Sequence, residues 1–188
     1  MLFFALGILA FVLFFLYEFY SVYKKPRIFS LFFAAGFVLL LSATVGLTVI
    51  SVIQLDKITI RLILSGAVAL VFLALLVYTL FFALPFSDTY VSSSGARVCR
   101  TGFYALCRHP GVLWFGGFYF FIWLALGGTL PLLMFAAYTS LNIAYSTFQD
   151  LWSFGLCFED YADYKKSVPF LIPNARSIRA CFLIFRRR

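Results

Sequence analysis

The chain has 188 residues, of which 64% are hydrophobic and only 12% are charged, and its formal net charge is +8. Soluble domains carry roughly 25% charged residues, and a chain of this length cannot hide so much apolar surface in a fold that faces water. The composition therefore excludes a water-soluble globular protein. It predicts one domain, residues 1–188, for which lipid is much of the solvent.

Five apolar runs follow in chain order, each near the length of about 20 residues that a membrane-spanning helix needs. The first lacks a basic leader and a small-residue cleavage site, which predicts a retained span rather than a signal peptide. The runs are predicted to be helices, since a lone helix satisfies its own backbone polar groups in lipid. The predicted spans are residues 2–23, 28–55, 63–86, 111–126 and 130–147, followed by a C-terminal segment, 148–188.

The fold class predicted is thus an all-α, multi-pass integral membrane protein with about five transmembrane helices. Connectors one and three and the C-terminal segment hold 13 of the 15 basic residues. Basic residues concentrate on the cytoplasmic side of membrane proteins, so the N-terminus is predicted outside and the C-terminal segment in the cytoplasm. Basic residues at these places set topology and contact anionic lipid, and no nucleic-acid partner is predicted.

Residues 102–110, Gly-Phe-Tyr-Ala-Leu-Cys-Arg-His-Pro, stand directly before the fourth span and contain the only histidine in the chain. Arg108 offers a planar fork of donors for a carboxylate, and His109 offers a neutral donor or acceptor. A simpler reading is that Arg108 anchors the span at the interface and Pro110 starts the helix. On this segment alone, the simpler reading is favoured.

Polar residues also lie within the apolar runs. One helical face of the fifth span and its end carries Thr139, Asn142, Ser146 and Gln149 or Asp150, which predicts either interhelical hydrogen bonds or a polar path for a lipid head group. Glu18, near the end of the first span, is predicted to extend toward the interface beside Lys24. The Cys and His spacing predicts no metal site.

A second segment follows the fifth span. Residues 161–173 read Tyr-Ala-Asp-Tyr-Lys-Lys-Ser-Val-Pro-Phe-Leu-Ile-Pro. Together the two segments, Gly-x-Tyr-x-x-x-Arg-His-Pro before a helical hairpin and Tyr-x-x-Tyr-x-x-x-Val-Pro-x-x-Ile-Pro after it, resemble the isoprenylcysteine carboxyl methyltransferase and phospholipid methyltransferase superfamily of integral membrane enzymes. The resemblance covers roughly residues 87–173, and the first three spans match only in being spans.

The resemblance implies a methyltransferase that transfers a methyl group from S-adenosylmethionine to a lipid or isoprenoid-like acceptor. It implies the cofactor at the cytoplasmic face and an acceptor that enters from the bilayer. The catalytic candidates it implies are Gln149 and Asp150, with Asp150 as the proton acceptor. The cofactor-binding candidates it implies are Gly102, Tyr104, Arg108, His109, Pro110, Tyr161 and Tyr164.

The chain departs from the family pattern mainly where the family binds its acceptor. Gln149 and Asp150 stand where the family has two adjacent glutamates, and Tyr145 stands where the carboxyl methyltransferases have an arginine. Val112 and Trp114 replace a Tyr and a Gly, and Cys157-Phe158 aligns with a Phe-Gly. A prenylcysteine carboxylate is therefore not the expected acceptor, and a lipid amine or another lipid head group is favoured.

Two alternatives stay open on the sequence. One is a membrane oxidoreductase that resembles the steroid reductases and uses NADPH, because those enzymes have a similar Arg-His-Pro motif before a terminal hairpin. The other is a non-catalytic binding or structural protein on the same scaffold, which the absent glutamate pair favours.

Overall fold

A computed structural model of the chain describes residues 1–23, 30–55, 57–83 and 97–185, and this part is helical without strands. Its long helices are α1 (Leu2–Val22), α2 (Ser30–Ile53), α3 (Ile60–Phe81), α5 (Pro110–Leu126) and α6 (Thr129–Phe148). Its shorter elements are α4 (Phe103–Leu106), a π-helical turn (Gln149–Ser153), α7 (Phe154–Cys157), α8 (Tyr161–Ser167) and α9 (Ala175–Phe185).

Three of these helices, α1, α2 and α3, are long and apolar enough to cross a membrane. Helix α5 is apolar but has only 17 residues, and α6 has 20 residues that include several hydroxyl and amide side chains. The prediction of an all-helical membrane protein is confirmed. The five long helices lie where the five spans were predicted, although the predicted start at residue 28 and the predicted end at residue 86 fall outside the described residues.

Local sequence signals fix several helix ends. Thr59 caps α3, because its hydroxyl accepts a hydrogen bond from the Leu62 amide. Pro110 occupies the first turn of α5, where its missing N–H costs nothing. Gly127 and Gly128 have φ angles of +70° and +76°, so the tight turn between α5 and α6 uses backbone conformations that other residues rarely adopt.

The bundle consists of two closely packed helix pairs, α1 with α2 and α3 with α5, and α6 packs against α1 and α5. Phe11, Leu47, Tyr119, Met134 and Tyr138 form its buried centre. The outward faces of α1, α2 and α3 carry exposed Leu, Ile, Val and Phe side chains, as expected for helices surrounded by lipid.

The short elements cluster at one end of this bundle. Tyr104, in α4, donates to the Thr79 carbonyl near the end of α3, and the π-helical turn continues α6 and packs on the end of α1. Helix α9 packs on α4. The C-terminal segment therefore folds back over the ends of α1, α3 and α6 and the beginning of α5.

Candidate functional site

The two segments that carry the resemblance lie directly against each other. The Arg108 amide donates to the Pro169 carbonyl at 2.9 Å, and the His109 amide donates to the Phe170 carbonyl at 3.3 Å. Both amides precede the first turn of α5, where a helix has no internal acceptors for its N–H groups. The extended backbone around Pro169 supplies those acceptors, so the C-terminal segment caps the start of α5.

The Arg108 guanidinium is the centre of this assembly. Its Nε and Nη2 donate to the two carboxylate oxygens of Asp150 at 2.7 and 3.1 Å, and its Nη1 donates to the carbonyls of Lys165 and Val168 at 3.2 and 2.9 Å. A guanidinium has five N–H donors in a fixed fork, which suits such a bidentate pair. Arg108 therefore ties the π-helical turn to α8 and to the segment after it.

Asp150 is buried and accepts from several groups besides Arg108. The Tyr161 hydroxyl donates to its Oδ1 at 2.6 Å, and Lys165 Nζ lies 3.0 Å from its Oδ2. Burial alone would raise the pKa of Asp150, but polar contacts from His109, Tyr161, Arg108 and Lys165 outweigh it and hold the pKa well below its ordinary value. Asp150 is consequently ionised and a weak proton acceptor.

His109 differs from its neighbours because its Nε2 is buried and has no hydrogen-bond partner in the described part of the chain. This nitrogen lies 3.5 Å from Asp150 Oδ1. The imidazole stacks on Phe154 with ring centroids 5.7 Å apart, and it meets Phe170 edge to face with centroids 5.1 Å apart. An unsatisfied buried polar atom costs stability, so it marks a place where a further ligand can bind.

The three tyrosines predicted to bind the cofactor join the same assembly. The Tyr164 hydroxyl donates to the Tyr104 carbonyl at 2.7 Å, and the Tyr104 hydroxyl donates to the Thr79 carbonyl at 3.3 Å. Burial raises the pKa of both Tyr161 and Tyr164, so their hydroxyls stay neutral donors. Gly102, with a φ of +59°, begins α4 and sets the direction of this segment.

S-adenosylmethionine, the cofactor that the resemblance implies, has a carboxylate that needs donors and a sulfonium that suits aromatic faces. The buried Nε2 of His109, which lies 3.5 Å from Asp150 Oδ1 and makes no hydrogen bond within the described residues, suits the first need, and the rings of Phe154 and Phe170 beside it suit the second. Arg108 already makes four hydrogen bonds within the chain, so its donors are mostly engaged. The residues present therefore fit the group, with His109 as the principal contact.

Sequence reasoning missed a second polar cluster, which forms on the other side of the π-helical turn. Glu18 was expected to extend toward the interface, but it is buried, with a relative exposure of 5%. Its carboxylate accepts from the Tyr145 hydroxyl and the Gln149 amide, both at 2.9 Å, and from the Ser153 hydroxyl. The expectation is wrong because the end of α6 and the π-helical turn together offer three donors inside the bundle.

Gln149 and Asp150, the predicted catalytic residues, therefore belong to different clusters. Gln149 binds Glu18, whereas Asp150 binds Arg108. Their catalytic roles stay predictions. One signal in the sequence pointed to the cluster around Glu18, since Tyr145 and Gln149 are two of the positions at which the chain departs from the family pattern.

Among other predicted features, Ser146 on the polar face of α6 is buried, and Thr139 Oγ1 lies buried without a hydrogen-bond partner in the described residues. Trp114 donates from its indole to the Thr79 hydroxyl at 3.0 Å and so joins α5 to α3. The residues described contain no group of three His, Cys, Asp or Glu side chains that could hold a metal ion.

No protein-family model, curated protein or solved structure matches this chain. The resemblance to the membrane methyltransferases therefore depends on the motif residues alone.

Proposed function

We propose that this protein is a membrane-embedded methyltransferase that transfers a methyl group from S-adenosylmethionine to a lipid or lipid-like acceptor. The observation that carries the proposal is the contact between the two motif segments. Arg108 and His109 are joined through backbone hydrogen bonds to Pro169 and Phe170. Within the described residues His109 Nε2 is buried without a hydrogen bond, 3.5 Å from Asp150 Oδ1 and beside two aromatic rings. A site assembled from both segments is what the resemblance implies.

In this proposal His109 Nε2 would hold a polar group of the cofactor. The rings of Phe154 and Phe170, which pack beside His109, would contact the cofactor. The bound cofactor would supply an electrophilic methyl group. Arg108 and Asp150 act mainly as positioning residues, because their mutual hydrogen bonds fix the start of α5 relative to the π-helical turn. Catalysis of this kind depends on alignment, so a rigid frame around the site is the main requirement on the chain.

The proposed topology has five spans, an external N-terminus and a cytoplasmic C-terminal segment. The distribution of basic residues supports it. The structure adds that both motif segments lie at one end of the bundle, together with the ends of α1, α3 and α6. The cofactor site would then face the cytoplasm, and the acceptor would reach it from the bilayer.

The first test is cofactor binding to the purified protein in detergent, measured by calorimetry with S-adenosylmethionine, S-adenosylhomocysteine and NADPH. We expect both adenosyl ligands to bind and His109→Ala to weaken them about tenfold to a hundredfold, because one good polar contact is lost. His109→Gln is the matched variant, since its amide can still donate, and we expect a smaller loss.

Three results would contradict the proposal in different ways. Wild-type affinity in His109→Ala would move the cofactor site away from the Arg-His-Pro segment. Binding of NADPH alone would favour the oxidoreductase reading. Binding of none of the three ligands by a folded, monodisperse protein would favour the non-catalytic reading.

A further inference from the structure

The C-terminal helix α9 packs on α4 and keeps an apolar strip on its outer surface. Ser177 and Cys181, one turn apart, are buried. Ile178 and Phe182, also one turn apart, are exposed, Phe182 to 70%, and the neighbouring Leu183 is exposed too. Residues four apart share one face of a helix, so Ile178 and Phe182 form a continuous apolar strip outside the bundle.

The rest of the outer surface of α9 is basic. Arg176 and Arg179, three residues apart, share a side of the helix and are both exposed. Neither forms an ion pair with a carboxylate in the described part of the chain. Three further arginines, residues 186–188, follow α9 in the sequence. The outer surface therefore combines large apolar side chains with positive charge.

The contact with α4 fixes the depth of α9. Helix α4 lies at the last turn of α3, because the Tyr104 hydroxyl donates to the Thr79 carbonyl and the Phe103 ring meets Tyr78 with centroids 5.9 Å apart. Helix α3 is long and apolar enough to cross a membrane, so its last turn lies where the hydrocarbon ends and the head groups begin. Exposed tyrosines such as Tyr78 are typical of that depth.

A helix with these two features at this depth suits a lipid surface. The apolar face of an interfacial helix enters the boundary between head groups and acyl chains, and its basic residues attract anionic lipid. The fork of donors on an arginine fits a phosphate group. A second copy of this chain is a poorer partner, because it would bring the same arginines and its own net charge of +8 to the contact.

From this placement we infer that α9 is an interfacial anchor that binds anionic phospholipid. Phe182 and Leu183 lie between the head groups and the acyl chains, and Arg176 and Arg179 bind lipid phosphates. The proposed topology puts α9 at the cytoplasmic leaflet, whose surface is the more anionic one. This role is independent of the proposed methyl transfer.

The test places a fluorescent reporter on α9 of the full-length protein in nanodiscs, whose two faces are both open to solvent. Leu183→Cys carries an NBD label, and the accessible thiols are removed by Cys99→Ser and Cys157→Ser. The same protein without Leu183→Cys gives the background. Phosphatidylglycerol and phosphatidylcholine with a nitroxide on the acyl chain quench a label that contacts lipid, and acrylamide quenches a label that faces water.

We expect both nitroxide lipids to quench the reporter and acrylamide to have little effect. Phosphatidylglycerol should quench at a mole fraction at least about fivefold lower than phosphatidylcholine, because each arginine near an anionic surface strengthens the attraction about fivefold. This preference should largely disappear at about 1 M salt, which screens charges beyond about 3 Å.

Two variants remove the same charge at opposite ends of the bundle. Arg176→Gln with Arg179→Gln changes α9, and Lys57→Gln with Arg61→Gln changes exposed positions at the start of α3. We expect the first pair to lose the preference for phosphatidylglycerol and the second pair to keep it. The salt titration of the labelled protein with both arginines tests the same attraction if the first pair does not fold.

Quenching by acrylamide but not by nitroxide lipid would overturn the inference, because the outer surface of α9 would then face water. Quenching by neither would overturn it as well, since protein, such as a second copy of the chain, would cover the helix. Equal quenching by the two lipids, or a preference that survives without Arg176 and Arg179, would rule out recognition of anionic lipid. No cofactor is present, so these outcomes are independent of whether S-adenosylmethionine binds.

Discussion

Two carboxylates on opposite sides of one π-helical turn have different electrostatic surroundings. Asp150 is paired with Arg108 and Lys165, whereas Glu18 accepts only from neutral groups in the described part of the chain. A carboxylate held between two cations has little tendency to take up a proton, and it serves best as a fixed anchor.

The pairing of Asp150 makes stability depend on pH. Its pKa is lowered in the folded protein, so the group stabilises the fold at pH values above its ordinary pKa of 3.8. This contribution is lost as the pH falls below about 5 toward the lowered value. In that range Asp150 takes up a proton in the unfolded chain but stays ionised in the folded protein, which favours unfolding. We expect the thermal unfolding midpoint of the wild type to decrease as the pH is lowered through this range.

Asp150→Asn should reduce the pH dependence, by the share that this carboxylate contributes, and should remove part of the stability. Breaking a buried ion pair by removing one partner costs about 3–5 kcal/mol, since the remaining charge is left uncompensated. The matched control is Asp163→Asn, whose exposed pair with Lys166 contributes little. Thermal unfolding of the wild type and of both variants, in detergent between pH 3.5 and 7.5, measures the stability and its dependence on pH. A wild-type profile in Asp150→Asn would mean that the pair does not stabilise the fold.

At the scale of elements, the helix positions follow closely from the sequence, because apolar length and turn residues are local signals. Pro110 at the start of α5 and Gly127-Gly128 at its end are clear in the chain itself. The π-helical turn at Gln149–Ser153 carries no such local signal. It depends on contacts with Glu18 on one side and Arg108 on the other, and such turns often occur at functional sites.

Close helix packing at Gly117 gives a prediction for the α3–α5 pair. A methyl group at this position would lie 2.3 Å from the Phe72 ring, so Gly117→Ala forces the two helices apart. We expect a loss of about 1–3 kcal/mol, the usual cost of overpacking. The matched control is Gly66→Ala on α3, where a methyl group meets no atom within 4 Å and helix propensity improves.

Thermal unfolding in one detergent, followed by circular dichroism, compares the two glycine variants directly. Gly117→Ala is expected to lower the midpoint and Gly66→Ala to leave it unchanged or raise it slightly. Equal midpoints for the two variants would show that α3 and α5 do not pack at Phe72 as described.

For the molecule as a whole, the sequence predicts the apolar helices far better than the contacts between distant segments at the candidate site. Hydropathy is averaged over a whole helix, so the order and approximate limits of the helices were predictable. The backbone hydrogen bonds from Arg108 and His109 to Pro169 and Phe170 join residues about 60 positions apart. Only the resemblance suggested that these segments share a site, and burial of Glu18 depends on packing that no local pattern encodes.

Orientation in the membrane is the property of the whole chain that remains to be measured. Of 15 basic residues, 13 lie in connectors one and three and in the C-terminal segment, and the residues between α5 and α6 carry no charge. Translocating Lys or Arg across a membrane is unfavourable, so these 13 residues favour the cytoplasmic side. With this orientation the proposed cofactor site would face the cytoplasm too, since Arg108 contacts the C-terminal segment.

Reporter fusions after Arg188 and within Gly127-Gly128 test this orientation. We expect a cytoplasmic signal from the fusion at Arg188 and an external signal from the fusion in the turn, because α6 separates the two positions. Adding two lysines to the turn is the matched perturbation, and we expect it to reduce the external signal by opposing the charge asymmetry. The same side for both unperturbed fusions would mean that α5 and α6 do not cross the membrane as a hairpin. Opposite sides with an external C-terminus would instead place the proposed cofactor site away from the cytoplasm.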